Sequence, residues 1–370
     1  MSNNKKNITH LDGVLLHQAL VSGIQNVISK QDYLNKINVF PVPDSDTGTN
    51  MAFTLSAVLD GTSTNTHSSV GDLLEIVADS ALDGARGNSG AILAQFFLGL
   101  SDGSSGIEKM TTQDFSDAIE LGSKYAREAI ANPIEGTILT VLTDFAQHLL
   151  HRINAGVSDF NSLFESGIEI AKESLANTPN QLDVLKKAGV VDAGAQGFVD
   201  LLQGIQLYIK EGKLELKESI SVPKSIEPKI NIDLKNDATE MTFRYCTECM
   251  VIGNNIDRNH LREDLMDFGD SLVIAGTKNK VKVHIHVNEP SKVFNICDNY
   301  GNISGQKSDD MFQQHETAYS DHSEIAIVTD SGSDIPEELM DELDIHIVPV
   351  RYSFGDKGYI DKVSLTSDEF

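Results

Sequence analysis

The chain has 370 residues, too many for one ordinary core, so two or three domains are expected. Its composition, 40% hydrophobic and 23% charged, is that of a globular protein, and a net charge of −26 argues against nucleic acid, which is met by Lys and Arg surfaces. No run approaches the roughly 20 apolar residues of a membrane helix. Residues 1–10 lack the apolar segment of a signal peptide, so the cytoplasm is the expected location.

Residues 1–212 read as one all-α domain. Apolar residues recur at helical spacing in "LLHQALVSGIQNVI", "DLLEIVADSAL", "AILAQFFLGL", "FSDAIELGSKYAREAI", "ILTVLTDFAQHLL", "LFESGIEIAKESL" and "GFVDLLQGIQLYI". The pattern predicts seven to nine helices and no strand. Residues 213–240 are rich in Lys and Glu, contain Pro223 and Pro228, and read as a linker. Residues 241–320 mix strand-like runs ("MTFRYCTECMVI", "SLVIAGT", "VKVHIHV") with helical runs ("NHLREDLMDFG", "SKVFNIC"), the pattern of a small α/β domain. Residues 324–370 begin a third pattern. "EIAIVTD" reads as a buried strand, "IPEELMDELD" as a helix and "IHIVPVRYSF" as a second strand.

The segment "DSDTGTN" places Asp44 and Asp46 in one turn ahead of a helix. Two carboxylates so close repel unless a cation or solvent lies between them, and Mg²⁺ takes carboxylate oxygens while keeping waters and phosphates. Gly48 would leave backbone N–H groups unobstructed, Thr49 and Asn50 would cap the helix "MAFTLSAVL", and a helix N-terminus is an anion site. The plain alternative is an Asp-rich helix cap. The device recurs, because "GARGNSG", "EGT" and "DAGAQG" each precede a predicted helix. Four such turns in one helical domain point to several helix N-termini converging on a phosphate-rich ligand. No Walker A pattern, kinase Gly-rich loop or dinucleotide fingerprint is present.

Together, "NVFPVPDSDTGTNM", "GARGNSG", "EGTILTV" and "VDAGAQGF" resemble the signatures of the dihydroxyacetone-kinase L-type domain, and more closely those of the bacterial fatty acid kinase catalytic subunit. The resemblance implies a barrel of eight antiparallel helices with ATP at one end, its phosphates held through two Mg²⁺ ions. It makes Asp44 and Asp46 the Mg²⁺ ligands. It lines the phosphates with Thr47, Gly48, Thr49 and Asn50, adds polar contacts from Asn88 and Ser89, and puts Gly136, Thr137, Asp192 and Gly194 near the nucleotide. Arg86 is the candidate for stabilising the transferring group. Ser45 stands where the family has Gly, so it must adopt that turn at some steric cost. Dihydroxyacetone-kinase relatives carry a third Asp upstream, where Asn38 is the nearest polar residue here.

In the middle domain, strand alternation puts His284 and His286 on one face, and Cys246 and Glu248 on one face of theirs, with Cys249 opposite. Cys and His suit Zn²⁺, and three protein ligands leave a fourth position open. A solvated histidine pair beside a buried thiol is the alternative. The stretch containing "YCTE", "GDSLV" and "VKVHIH" resembles the fatty acid kinase middle domain, which implies a structural or regulatory zinc held by Cys246, His284 and His286, without Cys249. "EIAIVTDSGSDIP" and "IHIVPVRYSFGDKGYID" resemble the opening of DegV-type fatty-acid-binding proteins, which implies that Thr329, Asp330 and Ser331 lie near a lipid carboxylate.

The combined expectation is an ATP-dependent kinase that phosphorylates a fatty acid presented by a DegV-type protein or domain, with a homodimer among the assemblies to test. The direct competitor is a kinase of dihydroxyacetone or a similar small hydroxy-carbonyl compound. A non-catalytic nucleotide-binding regulator or scaffold is the reading from another class, and intact Asp44 and Asp46 weigh against it.

Overall fold

The computed structural model describes residues 7–64, 68–211, 242–319 and 326–363, the last span without residues 334, 344, 355, 356 and 362. The chain divides into two units, Met1–Ile232 and Asp233–Phe370. The linker expected at 213–240 lies outside the described residues. Among the described residues, no helix is long and apolar enough to cross a membrane.

The first unit is helical. In chain order it contains β1 (His10–Asp12), α1 (Gly13–Ile28), α2 (Gln31–Lys36), α3 (Thr47–Thr62), α4 (Val70–Asp83), α5 (Gly87–Gly103), β2 (Lys109–Thr111), α6 (Thr112–Ala129), α7 (Ile138–Asn154), α8 (Phe160–Gln181), α9 (Asp183–Ala188) and α10 (Ala193–Glu211). The caps explain several starts. Asp12 accepts the N–H of Leu15 ahead of α1, and Thr111 and Asp114 form a reciprocal capping box on α6. The long helices pack on their chain neighbours, and α10 returns to lie on α1. Edge-on contacts of Phe198 with Phe96 and Phe145 tie α5, α7 and α10 into one core. Each such ring, once buried, contributes roughly 1.5–3 kcal/mol.

Two expectations need correction. The unit does contain strands: β1 pairs antiparallel with β2, a three-residue ribbon too short to leave a periodic signal. The glycine segments are not turns ahead of the helices but their first turns, since α5 begins at Gly87 and α10 at Ala193. Tertiary packing there overrides glycine's weak helix propensity.

The second unit contains β3 (Tyr245–Ile252), α11 (Arg258–Leu265), β4 (Gly269–Gly276), β5 (Lys280–Val287), α12 (Pro290–Asp298), β6 (Asn302–Asp310) and α13 (Met311–Tyr319). Its four strands form an antiparallel sheet in the order β4-β5-β3-β6. The sequence reading missed β6. Its "NISGQKSDD" is polar because it is an edge strand, where apolar alternation is not required.

Further on lie β7 (Ile327–Asp330), α14 (Glu337–Glu342), β8 (Ile345–Val348), β9 (Arg351–Phe354) and β10 (Lys357–Ile360). Strands β7 and β8 pair in parallel across α14, and β9 and β10 form a hairpin. Two expectations change here. "IHIVPVRYSF" is two strands, broken at Pro349 and Val350. The strand expected to be buried exposes Ile327 and Val328, because β8 is its one sheet partner among the described residues.

Candidate functional site

The site begins at the turn before α3. Asn38 is nearly fully buried and orders that turn. Its Nδ2 donates to Asp44 Oδ1 at 2.6 Å and to the Val42 carbonyl at 3.3 Å, while its Oδ1 accepts the Thr47 hydroxyl at 2.8 Å. Ser45 adopts φ +57°, the left-handed region, so the residue between the aspartates carries the steric cost that glycine would avoid. Burial pushes the Asp44 carboxyl well above the usual carboxylate range, and Asp46 beside it pushes the same way. Among the described residues, no cationic side chain forms an ion pair or hydrogen bond with either aspartate.

Helix α2 braces this mouth. Asn35 Oδ1 accepts the N–H of Thr49 at 3.0 Å, and Asn35 Nδ2 and Gln31 Nε2 donate to Thr49 Oγ1 at 2.9 and 3.2 Å. Thr49 and Asn50 therefore do not cap α3, because the cap position falls on Asp46 and Thr49 is itself held from α2. Gly48 is required for a reason other than a turn. A methyl group there would fall 2.1 Å from the Gln31 carbonyl oxygen, so glycine lets α2 and α3 touch. Lys30 pairs with buried Asp200 of α10 at 2.6 Å and so fixes the start of α2. Sequence reasoning missed Gln31 and Asn35, which are two polar residues in a short helix with no motif around them.

Four helix N-termini meet here. A methyl on Gly87, where φ is +58°, would lie 2.3 Å from Asn50 Nδ2, so α5 starts against α3. The Arg86 N–H also donates to Thr54 Oγ1 of α3 at 3.3 Å. A methyl on Gly194 would lie 3.1 Å from Ser89 Oγ, 3.4 Å from Asp192 Oδ1 and 3.5 Å from Ile138 Cβ, which brings the starts of α5, α7 and α10 together. Asp192 is buried and receives backbone N–H groups from Ala195 and Ile138, so one carboxyl ties α10 to α7. Burial pushes its pKa up to about 6 against the lowering effect of those two bonds. Asn88 Oδ1 is buried and has no hydrogen-bond partner among the described residues.

Other predicted residues sit differently. The Arg86 guanidinium stacks on the exposed Phe53 ring, 4.1 Å from its centroid. Gly136, at φ +82°, packs against the Thr178 carbonyl at the end of α8. Thr137 caps α7 by accepting the N–H of Leu139.

In the second unit the register sets Cys246 opposite His286 and Glu248 opposite His284. All four are buried. Ligand atoms of Cys246, His284 and His286 lie within 4.8 Å of one another. Cys246 Sγ is 3.7 Å from His284 Nδ1, and the two imidazoles stand edge to face at 5.2 Å. Burial lowers the His284 pKa despite Glu248, which keeps the ring neutral, the form a metal requires. Cys249 is fully buried and hydrogen-bonds with Cys297 of α12, apart from this cluster. At the end of β7, Asp330 Oδ1 accepts the Gly332 N–H at 2.9 Å and Ser331 Oγ accepts the Val350 N–H at 2.9 Å. The Thr329–Ser331 segment is thus closed by its own turn.

Three family profiles match consecutive parts of the chain. They are the DAK2 domain over residues 41–207, the FakA-like middle domain of fatty acid kinase over 242–318, and the DegV family over 324–370. The helical unit therefore carries a DAK2 domain. The chain as a whole has the domain order of a fatty acid kinase catalytic subunit, continued into the start of a DegV-family domain. An uncharacterized protein of Staphylococcus saprophyticus is 33% identical over 360 residues, covering 94% of this chain and 63% of the relative. One of Staphylococcus aureus is 36% identical over 313 residues, covering 83% and 57%. The chain thus spans about 57–63% of the length of these two relatives. Among solved structures, the dihydroxyacetone kinase from C. freundii in complex with AMP-PNP and Mg²⁺ aligns with a TM-score of 0.42 and 15% identity, over 56% of this chain and 36% of that one.

Proposed function

We propose that this chain is an ATP-dependent kinase that phosphorylates a fatty acid presented by a DegV-type carrier, giving an acyl phosphate. The observation that carries the reading is the meeting of four helix N-termini beside the Asp44–Asp46 turn, with the buried Asn88 Oδ1 lacking a partner among the described residues. Helix N-termini favour anions, so a triphosphate fits this mouth. The two crowded carboxylates fit Mg²⁺, a hard cation that takes oxygen donors and would relieve the repulsion raising Asp44. When bound, Mg²⁺ supplies charge neutralisation on the phosphates.

The rest is positioning by the chain. Asp44 and Asp46 hold the metal, with Asn38 fixing Asp44. Thr47, Gly48, Thr49 and Asn50 present the α3 mouth to the phosphates, and Asn88 and Ser89 present that of α5. Gly136, Thr137, Asp192 and Gly194 shape the nucleotide end of what we take to be an eight-helix antiparallel barrel. Arg86 reaches the transferring group by leaving its stack on Phe53. An ionised fatty acid carboxylate attacks the γ-phosphorus, a new O–P bond forms, the bond to the β-phosphate oxygen breaks, and ADP departs. The acceptor is already an anion, so no general base is required.

Thr329, Asp330 and Ser331 belong in this scheme to the lipid-carrier module. Cys246, His284 and His286 bind one Zn²⁺, whose borderline-soft character suits one thiolate and two imidazoles. The buried, unpartnered His284 Nε2 supports that fit.

The test is acyl phosphate formation, trapped with hydroxylamine, from ATP, Mg²⁺ and a DegV-type protein loaded with fatty acid. Hydroxamate should form with the loaded carrier and far more slowly with free fatty acid. Equal rates without the carrier would refute carrier presentation. Turnover of dihydroxyacetone in place of fatty acid would replace this reading with that of a small-molecule kinase.

A further inference from the structure

We infer that Glu248 is a positioning residue for the cysteine–histidine cluster: it holds His284 as the Nδ1–H tautomer and leaves Nε2 for the metal. The inference rests on the metal reading proposed above and extends it to residues outside the three ligands.

The register of β3 and β5 puts Glu248 directly across from His284. Glu248 Oε1 lies 3.0 Å from His284 Nδ1, and Glu248 Oε2 lies 2.9 Å from Lys282 Nζ. Lys282 lies two residues from His284 on β5, so it shares that face of the strand. An ionised carboxylate only accepts, and a neutral imidazole has one N–H. The ring proton therefore sits on Nδ1, and the free lone pair sits on Nε2. That atom is buried and has no partner among the described residues. A bare ring nitrogen in the interior carries a desolvation cost that a metal ion would offset. Lys282 does more than neutralise charge. By occupying the second oxygen it keeps Glu248 ionised and stops it from turning to become a ligand. Glu248 also stands outside the set of ligand atoms that lie within 4.8 Å of one another.

His286 repeats the arrangement more weakly. Its Nδ1 lies 3.2 Å from Asp270 Oδ1, but the Asp270 side chain is 57% exposed, against 1% for Glu248. Water can take the place of Asp270, and nothing of the kind can replace Glu248. The two carboxylates should therefore differ sharply in their effect on the metal, which a role in sheet packing alone would not produce.

The experiment uses the full chain with zinc as the probe. Zinc affinity is measured by competition with a chromophoric chelator for wild type, Glu248→Gln and Asp270→Asn, and Co²⁺ spectra are recorded for each. Glu248→Gln should keep one tetrahedral metal with its thiolate band and lose about 10- to 100-fold in affinity, the usual effect of removing such an outer partner. Asp270→Asn should lose less than about 5-fold, below that range. Unchanged affinity in Glu248→Gln would overturn the inference. So would a change in Co²⁺ coordination number, which would make Glu248 a ligand. If Glu248→Gln does not fold, nitrogen-15 shifts of His284 in the zinc-free wild type decide the matter, because an Nε2–H tautomer contradicts the proposal. Wild type that takes up no zinc removes the metal reading itself, a result seen before any variant is made.

Discussion

Replacing Asp192 by Asn should flatten part of the protein's pH dependence. The buried carboxyl has a pKa of about 6, against 3.8 for the ordinary group, because burial outweighs the two backbone N–H groups it receives. A carboxyl whose pKa is raised on folding binds its proton more tightly in the folded state. Its contribution to stability is then fully present below the unfolded pKa of 3.8 and is lost as pH rises through about 6. The shift of roughly 2 pKa units corresponds to about 3 kcal/mol lost in full at high pH, of which about 1.5 kcal/mol is lost between pH 5 and pH 7.5. The amide introduced by Asp192→Asn cannot ionise, although it presents a poorer acceptor to one of the two N–H groups. Urea titrations followed by helical circular dichroism at pH 5 and pH 7.5 should show the variant gaining about 1.5 kcal/mol on wild type between the two conditions. The difference between the two pH values is the readout, so a constant loss from the altered cap cancels. An unchanged difference between variant and wild type would show that Asp192 is not a desolvated charge tying α7 to α10.

Asp44→Ala and Asp46→Ala should each reduce Mg²⁺-dependent nucleotide turnover to background with the helical circular dichroism intact; normal turnover in either variant would remove the metal role. Gly48→Ala should destabilise the helical unit by about 1–3 kcal/mol, the usual cost of overpacking, because its methyl would strike the Gln31 carbonyl. A stability within about 0.5 kcal/mol of wild type, measured by urea titration, would contradict that contact. Purified protein should carry about one equivalent of zinc by elemental analysis, lost in Cys246→Ser and His284→Ala and kept in Cys249→Ser. Loss confined to Cys249→Ser would overturn the ligand set.

What the sequence determined by itself was whatever rests on short-range pattern. Helical periodicity marked the long helices of the first unit, and period-two alternation marked β3, β4 and β5. The spacing of Asp44 and Asp46 was visible at once, since two like charges in one turn need an explanation that no fold has to supply. The glycine segments were visible too, but their role was misread. Only the packed structure makes Gly48 a point of helix contact and puts Gly87 and Gly194 at the junction of separate helix starts. Residues 48, 87 and 194 are far apart along the chain, and no local rule relates the mouths of α3, α5, α7 and α10. The polar β6 was invisible because an edge strand needs no apolar alternation. The bonds of Gln31, Asn35 and Asn38 to the α3 turn were equally hidden, because a single amide side chain reads the same wherever it points. In the second unit, alternation could put Cys246 and Glu248 on one face of β3 and the two histidines on one face of β5. Only the antiparallel register decided that Glu248 faces His284 and Cys246 faces His286, and a slip of one residue would have sent those side chains to opposite faces of the sheet.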